Sequence, residues 1–414
     1  MAVVGAGISG LALGLELRNR GAEFDIFEAA AAPGGVVRSS RTGAGLLEWG
    51  PQRLRLVPPV RKIVEDVGLA DRLVFADPTA PLFVVRGGRM HRVPRSIRDL
   101  LTGSLLSPAS RLRVLAEPAT AAVRSTETVA EALTRKFGRE AYAALLGPLF
   151  GGLYASDPAD MRAADSLLGL LDRAGRPRSL LLRALRLENG SPPACSFRDG
   201  LGELPAALAR VLAGELNLRH PVETMTRAAD GWTLRVGGAV RGPYRSVILS
   251  VPAHEAARIL MAPARPAAER LGRLRYNRLA MVHLQASGES IAGFGYQVAF
   301  GEGLETRGVT FNDALLGRGR IVTAFLGGAS SPRVPDWADE RIAAVAEREF
   351  RQVTGRGAET LEVSRPRVPS YDSSWEALDG LPLPEGVHLC ANYIERPGIG
   401  GRFAQAKRMA EELG

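Results

Sequence analysis

The glycines near the start of the chain have the spacing that phosphate binding requires. Gly5, Gly7 and Gly10 form a Gly-x-Gly-x-x-Gly pattern directly after a short apolar run at 2–4. The first glycine permits a tight turn, the second lets the backbone approach a pyrophosphate, and the third lets a helix pack closely on a strand. Glu28 stands about 20 residues further on, where a carboxylate accepts hydrogen bonds from ribose hydroxyls. The pattern predicts a dinucleotide site, with a bare glycine turn as the alternative, formed by Gly5, Ala6, Gly7, Ile8, Ser9, Gly10 and Glu28.

Two later glycine-rich segments favour a flavin over a nicotinamide dinucleotide. A second glycine pair at 34–35 and the segment 48–51 are elements that a nicotinamide-binding unit does not need. Near the other end, an apolar run at 389–393 precedes the glycines at 398–401 and a helical pattern. A helix N-terminus directed at a flavin would stabilise the negative charge that develops there on reduction. A capped C-terminal helix without a ligand is the alternative.

Apolar periodicity indicates the elements that must position these groups. The runs at 2–4 and 24–27 read as buried strands on either side of a leucine-rich helix, which is a βαβ start and predicts a parallel sheet covered by helices. Residues 97–187 follow a helical, leucine-rich pattern. Further strands are predicted at 82–85, 232–236, 247–251, 281–285, 309–311 and 321–326.

The composition is that of an ordinary globular chain. Its 414 residues, 46% hydrophobic and 23% charged, can form one large core or two to three domains. The net charge of +9 comes from arginine, because Lys62, Lys136 and Lys407 are the only lysines. Arginine suits an anionic partner such as a carboxylated substrate or a lipid headgroup. No basic run is interleaved with aromatic residues, so we expect no nucleic-acid partner.

Cysteine and histidine usage predicts neither a disulfide framework nor a metal site. Cys195 and Cys390 form no Cys-x-x-Cys pair, and the five histidines do not cluster at metal-ligand spacing. No signal peptide precedes the first strand, and no uncharged apolar stretch reaches the roughly 18 residues of a membrane span. We therefore expect a cytoplasmic location, in a reducing compartment, and no integral membrane segment.

The Leu/Arg-rich stretch at 100–115 has two interpretations. It can form a pair of amphipathic surface helices whose arginines extend over apolar neighbours. It can also lie on the inner face of the cell membrane as a peripheral contact, with the apolar face, including Leu105 and Leu106, against the lipid. The sequence leaves both open.

Several segments resemble the flavin amine oxidase superfamily and, within it, the protoporphyrinogen oxidases. The N-terminal VVGAGISGLALGLEL and PGGVVRSS are shared by many flavoenzymes. The segment 137–158, which contains PLFGGLYASDP, is more specific. Further similar segments are FRDGLGEL at 197–204, ILSVP at 248–252, GVT at 308–310 and FLGG at 325–328. The resemblance covers nearly the whole chain.

The resemblance implies an α/β fold with a Rossmann-like FAD-binding domain, a mixed-sheet substrate domain and a helical insertion. The FAD-binding domain would combine residues 1–75, 191–262 and 369–414, and the substrate domain residues 76–90 and 263–368. Residues 91–190 would form the helical, membrane-associating domain, which favours the membrane interpretation of the 100–115 stretch.

The resemblance also implies which residues contact FAD beyond the first glycine motif and Glu28. Val222 would reach the adenine through its backbone, and Pro397 would stand beside the C-terminal turn. The remaining implied contacts are Gly35, Val36, Arg38, Gly50, Pro51, Gln52, Arg53, Trp375, Asn392, Gly398 and Ile399.

The activity that the resemblance implies is porphyrinogen oxidation in haem biosynthesis. Protoporphyrinogen IX or coproporphyrinogen III would become the porphyrin in three two-electron steps, with O₂ or another acceptor reoxidising the flavin. A second Rossmann fingerprint for NADPH is absent from the sequence, so the substrate itself must be the reductant. Gly152 is implied to offer its backbone carbonyl to the pyrrole N–H groups, and a glycine required by an unusual backbone angle is the alternative.

Three other functions stay open on the sequence. Amine oxidases share the fold, but they generally place a lysine near the flavin, and this chain has none between Lys136 and Lys407. Only Tyr393 suggests part of an aromatic cage for an amine. Carotenoid desaturation shares the N-terminal motif, and a flavin- or porphyrin-binding protein without turnover is the non-catalytic alternative.

The chain departs from the resembled family where substrate and flavin would bind. The family's animal and plant members have an arginine just before the strand at 83–85, and here Pro81 and Leu82 stand there. The loop reads Gly50-Pro51-Gln52, and proline at 397 removes a backbone donor. Arginines that could bind propionates are candidates by position only, namely Arg53, Arg89, Arg92 and Arg95.

Overall fold

A computed structural model describes residues 1–166, 168, 179–187, 192–394 and 398–414. Its strands are numbered here in chain order. They are β1 (Ala2–Val4), β2 (Asp25–Glu28), β3 (Ser39–Thr42), β4 (Gly45–Glu48), β5 (Leu54–Arg55), β6 (Leu73–Phe75), β7 (Leu82–Arg86), β8 (Arg89–Arg92), β9 (Ala194–Phe197), β10 (Leu216–Leu218), β11 (Val222–Ala228), β12 (Gly231–Val236), β13 (Ala239–Tyr244), β14 (Val247–Leu249), β15 (Tyr276–Ala286), β16 (Gly295–Val298), β17 (Thr306–Thr310), β18 (Ile321–Gly327), β19 (Ala358–Ser364), β20 (Arg367–Pro369) and β21 (Val387–Leu389).

The α-helices are numbered in the same way. They are α1 (Ile8–Arg18), α2 (Pro58–Asp66), α3 (Ile97–Thr102), α4 (Pro108–Leu115), α5 (Val129–Phe137), α6 (Arg139–Ala141), α7 (Gly147–Tyr154), α8 (Leu180–Leu187), α9 (Glu203–Val211), α10 (Ala253–Leu260), α11 (Arg265–Leu271), α12 (Asn312–Leu316), α13 (Asp339–Thr354) and α14 (Ile399–Leu413). A π-helical stretch, Tyr142–Leu146, joins α6 to α7. Short 3-10 turns lie at Ala70–Arg72, Glu117–Ala119, Ala163–Asp165, Val334–Asp336 and Ser373–Leu378.

A parallel five-stranded sheet, in the order β10-β2-β1-β14-β21, carries the first glycine motif. Its central strands β1 and β14 are fully buried, because helices and a second sheet cover both faces. Helices α1, α9 and α14 pack on one face. The antiparallel sheet β11-β12-β13 and helices α10 and α11 pack on the other face. This arrangement confirms the predicted α/β class.

A mixed sheet of eight strands forms the second layered unit. Its order is β19-β15-β18-β17-β16-β7-β8, and β20 pairs with the start of β15. Strands β7 and β16 run parallel, so an early hairpin joins strands from the second half of the chain. Helix α13 covers one face, where its Phe350 lies in the same apolar cluster as Val309 and Ala324.

The segment between β8 and β9 is helical in its described part and has its own apolar core. That core contains Leu105 and Leu106, which are 1% and 4% exposed. The expectation that these two leucines face a lipid surface is therefore wrong, since they anchor the helices to one another. Among its described residues, the large apolar side chains that are exposed are instead Ile97, Leu101, Leu112 and Leu182. Among the described residues, no helix combines the length and apolar character needed to cross a membrane.

The three-part division of the chain stays a prediction. The parallel sheet takes its strands from residues 2–28, 216–249 and 387–389, and the mixed sheet from residues 82–92 and 276–369. Leu271 and Leu274 follow the predicted boundary at residue 263, yet they pack in the apolar cluster of the parallel sheet.

Candidate functional site

The first glycine motif forms a tight loop between β1 and α1 with one open position. Gly5 has φ +105°, and a Cβ on it would lie 2.8 Å from the Ser250 carbonyl oxygen. A Cβ on Gly10 would lie 2.0 Å from the carbonyl oxygen of Gly5. A Cβ on Gly7 meets nothing within 4 Å, although Gly7 is the N-cap of α1. The open space at Gly7 therefore adjoins the free N–H groups of the helix start, where a phosphate binds.

Glu28 holds this loop from the end of β2. Its Oε2 accepts a hydrogen bond from the Ala6 N–H at 2.7 Å, and its Oε1 accepts one from the Ala30 N–H at 2.8 Å. A carboxylate has about four acceptor positions, so two are left for another donor. Binding of a ribose by Glu28 stays a prediction, and the structure adds a loop-ordering role for it.

The second glycine pair packs against the first motif. The Gly34 N–H donates to the Ala6 carbonyl at 2.8 Å, and a Cβ on Gly35 would lie 3.5 Å from Gly7 Cα. Val36 follows with 54% of its surface exposed, and its carbonyl stands 2.2 Å from where a Cβ on Gly50 would be. The structure thus brings residues 34–36 and Gly50 to the same opening.

Arg38 and Pro51 border this group, and the Arg38 N–H donates to the Val36 carbonyl at 3.2 Å. The Arg38 guanidinium is exposed and lies 5.9 Å from the centre of the Trp49 ring. Pro51 is half-buried between Gly50 and Gln52. Their contacts with FAD stay predictions.

Gln52 joins the loop that follows β4 to the mixed sheet. Its Oε1 accepts hydrogen bonds from Asn312 Nδ2 at 2.6 Å and from Thr323 Oγ1 at 3.0 Å. Its Nε2 donates to the Gly50 carbonyl at 3.0 Å and lies 3.7 Å from Met281 Sδ. These contacts occupy the carboxamide, and the contact of Gln52 with FAD stays a prediction.

A buried polar cluster around Glu48 was not anticipated from the sequence. Glu48 accepts hydrogen bonds from Ser39 Oγ at 2.6 Å and the Leu201 N–H at 2.9 Å, and its Oε1 lies 3.3 Å from an Arg318 nitrogen. Burial raises the pKa of the Glu48 carboxyl to about 7, against the opposing effects of Ser39, Leu201 and Arg318. His283 Nε2 stands 2.9 Å from the Glu48 carbonyl, and burial lowers the pKa of that imidazole.

Arg53 is a partly exposed cation beside the mixed sheet. Its guanidinium lies 5.1 Å from the centre of the Phe294 ring, at the end of the sheet where the Phe294 N–H donates to the Pro81 carbonyl. Burial, together with the charge of Arg55, lowers the pKa of Arg53 to about 10. Within the described residues no carboxylate pairs with it, so an anion placed there would be attracted.

One row of side chains crosses the mixed sheet on the face opposite α13. Strand register aligns Val84, Gln297, Gly308, Phe325 and Met281. Val84 is buried under the helical segment at one end, and Met281 is buried beneath the Gln52 loop at the other. Gln297 and Phe325 in between are only half-buried. The row therefore forms the floor of a cleft between the helical segment and the loop after β4.

Gly152 stands at the helical wall of this cleft, on α7. Its φ is not in the left-handed range, so the alternative of a glycine required by an unusual backbone angle is wrong. The glycine instead makes room for a neighbour, because a Cβ would lie 2.6 Å from Gln297 Oε1 and the carboxamide would have to move. Gly152 is among the last four residues of α7, whose carbonyls have no helical partner. Donation from a pyrrole N–H to that carbonyl stays a prediction.

Val222 and Trp375 both pack in the apolar cluster that contains Tyr393. The Val222 carbonyl accepts from Arg258 Nη2 at 2.9 Å, which leaves less capacity for an adenine. The Trp375 ring centre lies 4.5 Å from that of Tyr371, and its indole N–H has no partner within the described residues. The Tyr371 hydroxyl donates to the Asn392 carbonyl at 3.4 Å.

The C-terminal glycine turn repeats the features of the first. Gly398 is the N-cap of α14 at φ +108°, without a side-chain cap, and a Cβ on it would meet nothing within 4 Å. The Ile399 side chain packs in the core beside α1, which leaves its N–H at the helix start. Pro397 and the neighbouring Arg396 lie outside the described residues.

Two open helix N-termini on one sheet fit a dinucleotide with a redox-active ring. Gly7 leaves room for a pyrophosphate, and Gly398 leaves room for a group that becomes negative on reduction. In the part of the chain that the structure describes, no three His, Cys, Asp or Glu side chains converge as a metal site would require.

Comparisons with known proteins agree with this geometry. The family described as flavin containing amine oxidoreductase matches residues 8–413. The chloroplastic protoporphyrinogen oxidase of Nicotiana tabacum is 28% identical over 466 residues, which cover 99% of this chain and 84% of that protein. The coproporphyrinogen III oxidase of Mycobacterium bovis is 30% identical over 287 residues, 65% of this chain and 62% of that protein.

A solved structure supports the fold. The chain superposes with a TM-score of 0.82 on a protein from Exiguobacterium sp. 255-15, provisionally named a protoporphyrinogen oxidase, at 21% identity and with 100% and 98% of the two chains covered. The resemblance stated from the sequence motifs, the α/β fold and FAD as the cofactor are thereby confirmed. The chain belongs to the flavin-containing amine oxidoreductase family and is an FAD-dependent oxidase.

Proposed function

We propose that this chain oxidises a porphyrinogen, protoporphyrinogen IX or coproporphyrinogen III, to the porphyrin in haem biosynthesis, with O₂ as the electron acceptor. Similarity to oxidases of both substrates supports the tetrapyrrole class. The observation that carries the proposal is Arg53, a cation without a carboxylate partner in the described residues, whose guanidinium lies 5.1 Å from the ring centre of Phe294, directly before the strand that carries Gln297.

Charge separates this proposal from amine oxidation. A protonated amine would be repelled by Arg53, whereas the propionate groups of a porphyrinogen would pair with it. Tyr393, the one residue that suggested an aromatic cage, is fully buried in the core beneath the parallel sheet. It cannot form a wall of an amine site, so the cleft supports a carboxylated substrate better than an amine.

The other arginines proposed by position contribute less to the cleft. Arg89 and Arg92 are exposed on the edge strand β8. Arg95 donates to the carbonyls of Pro78 and Ala80, which fixes its guanidinium on the backbone. Arg53 is therefore the arginine that we assign to a propionate.

The chemistry asks little of side chains beyond positioning. Over three steps the substrate loses three hydrides from meso carbons and three protons, two from pyrrole nitrogens and one from the remaining meso carbon, and each step converts one O₂ into one H₂O₂. FAD, when bound, supplies the two-electron acceptor for each step. The chain holds the macrocycle between α7 and the loop after β4, with Arg53 fixing its rim and Phe325 its face, so that the reacting carbon is oriented and solvent is kept out.

The test uses the purified, FAD-loaded protein without oxygen. We expect its yellow colour to bleach with coproporphyrinogen III or protoporphyrinogen IX, and porphyrin fluorescence and colour to develop when air is admitted. Putrescine should cause no bleaching. Porphyrin binding without bleaching would indicate a carrier, and bleaching by putrescine alone would indicate an amine oxidase.

A pair of Arg53 variants tests the propionate contact. Arg53→Leu should raise KM for the porphyrinogen at least about tenfold, as expected for loss of a charged hydrogen bond. Arg53→Lys keeps the positive charge but loses the bidentate geometry, so its KM should lie between those of the parent and of Arg53→Leu. Arg92→Leu, on the exposed edge strand, is the matched control. Equal KM values for all four proteins contradict the assignment.

We also propose a peripheral membrane contact through the helical segment. Ile97, Leu101 and Leu112 are exposed apolar residues on α3 and α4, and Arg98 is exposed beside the first two. Apolar side chains with adjacent arginine suit a bilayer surface that contains anionic lipid.

A further inference from the structure

Gln297 occupies the middle of the cleft floor, and two glycines make room for its side chain. A Cβ on Gly152 would lie 2.6 Å from Gln297 Oε1, and a Cβ on Gly308 would lie 3.0 Å from the same atom. Gly152 belongs to α7 and Gly308 to β17, so backbones from the helical wall and from the sheet both approach this carboxamide. Any larger residue at either position would displace it.

The carboxamide of Gln297 has unmet hydrogen-bonding capacity. It carries two N–H donors and two acceptor positions, and within the described residues none of them has a protein partner. Its neighbours in the row, Val84, Gly308 and Phe325, offer no polar side chain. The exposed part of this amide can be hydrated when the cleft is empty, and a bound molecule can replace that water as its partner.

Comparison with Gln52 shows what a purely structural glutamine looks like in this fold. The Gln52 carboxamide is satisfied by Asn312, Thr323 and the Gly50 carbonyl. Gln52 lies on the loop that packs on the mixed sheet, and Gln297 belongs to the same face of that sheet, where the cleft is open. The Gln297 carboxamide has no hydrogen bond to a described residue of the protein. The difference points to a ligand rather than to the protein as its partner.

We propose that Gln297 is a substrate-binding residue whose carboxamide forms hydrogen bonds with the inner nitrogens of the tetrapyrrole. This inference rests on the proposed function and assigns the group that recognises the centre of the macrocycle, as Arg53 recognises its rim. Every pyrrole nitrogen of a porphyrinogen carries a hydrogen, and Gln297 Oε1 can accept from it. Two nitrogens of the porphyrin are acceptors, and Gln297 Nε2 can donate to them.

An amide therefore suits both the substrate and the product without a change of charge. A leucine of similar size would keep the packing between Gly152 and Gly308 and remove both kinds of hydrogen bond. Since the ring nitrogens would then lose their partner, we expect weaker binding of the macrocycle and a misaligned reacting carbon.

The experiment compares Gln297→Leu and Gln297→Met with the parent as FAD-loaded proteins. Coproporphyrin III binding is measured by fluorescence titration, and KM and kcat are measured with coproporphyrinogen III. We expect Kd and KM to rise about five- to fiftyfold in both variants, the range for losing one or two hydrogen bonds. FAD content and thermal melting should stay at the parent values.

Gln285→Leu is the matched control, because Gln285 is a half-buried glutamine on β15, at the far end of the same sheet. It should bind coproporphyrin III as the parent does. Parent-like Kd and KM in both Gln297 variants would overturn the inference while leaving the proposed function intact. A parent that neither binds the porphyrin nor bleaches would instead overturn the proposed function.

Should both variants lose FAD, Gln297→Asn settles the matter, since it keeps the carboxamide and shortens its reach by one methylene. Weakened coproporphyrin III binding with full FAD content supports the inference. Unchanged binding in that variant overturns it.

Discussion

At the scale of single residues, the three glycines of one motif serve different purposes. Gly5 and Gly10 are required by the protein, because a Cβ on either would collide with backbone oxygen atoms. Gly7 is not, since its φ of −67° suits any residue and a Cβ would project into open space. Gly5 and Gly10 are therefore needed for folding, whereas glycine at position 7 is needed only to leave space for a ligand.

Gly7→Leu should give a folded protein that does not retain FAD. A Cβ at this position meets no protein atom within 4 Å, so the leucine side chain would project into the space left for the pyrophosphate. We expect a colourless product with a parent-like far-UV circular dichroism spectrum, and at least a hundredfold loss of FAD affinity by titration, equivalent to about 3 kcal/mol. Gly214→Leu, at another exposed glycine with open space, is the control. Retained yellow colour in Gly7→Leu would refute the assignment of this loop.

Glu48 gives a second prediction at this scale, concerning pH. Its pKa is about 7 in the folded chain and near 4.5 when unfolded, so the folded state binds the extra proton between these values. Stability from this group is present below pH 4.5 and is lost as pH rises to about 7. Relative to Glu48→Gln, which does not titrate, the parent's melting temperature should fall between pH 5 and pH 8. A constant difference would contradict the raised pKa.

At the scale of elements, the helical segment is organised around a buried ion pair. Lys136 Nζ on α5 lies 2.8 Å from Glu117 Oε1, and both side chains are fully buried. The same carboxylate accepts from the Leu180 N–H at the start of α8, so it connects a loop, α5 and α8. Such a pair positions elements more than it adds net stability, because desolvation offsets the attraction.

Lys136→Met should destabilise the helical segment by about 3 to 5 kcal/mol, because Glu117 would be left buried without its cation. Thermal melting and limited proteolysis measure the loss. The double variant Lys136→Met with Glu117→Gln removes the uncompensated charge and should recover part of the lost stability. If the single variant melts like the parent, the pair has no such role.

Local apolar patterns predicted the positions of helices and strands better than they predicted what packs against them. The apolar run at 82–85 matches β7, and that at 232–236 matches β12. The run at 309–311 overlaps β17 but includes Phe311, which precedes α12 instead. Leu105 and Leu106 show the limit most clearly, because a helical period identifies an apolar face and does not say whether protein or lipid covers it.

At the scale of the whole molecule, the site depends on contacts between distant parts of the chain. The glycine loops and Glu28 could be read from the sequence because a local motif carries them. The Gln52 contacts with Asn312 and Thr323, and the Gly152 contact with Gln297, join segments more than 140 positions apart. No local pattern encodes such pairings, so the cleft and its polar floor required the folded structure.

The orientation of the whole molecule on a lipid surface is the last prediction. The exposed apolar residues Ile97, Leu101 and Leu112 belong to one helical segment, and Leu112 is 68% exposed. Replacing all three with serine removes apolar surface without opening the core, because their neighbours Leu105 and Leu106 are retained. We expect the parent to cosediment with vesicles that contain about one-third anionic phospholipid, and the triple variant to cosediment several-fold less. Val240→Ser, at an exposed apolar position on β13, should bind like the parent. FAD content serves as the folding control, and equal cosedimentation of parent and triple variant would show that α3 and α4 are an ordinary protein surface.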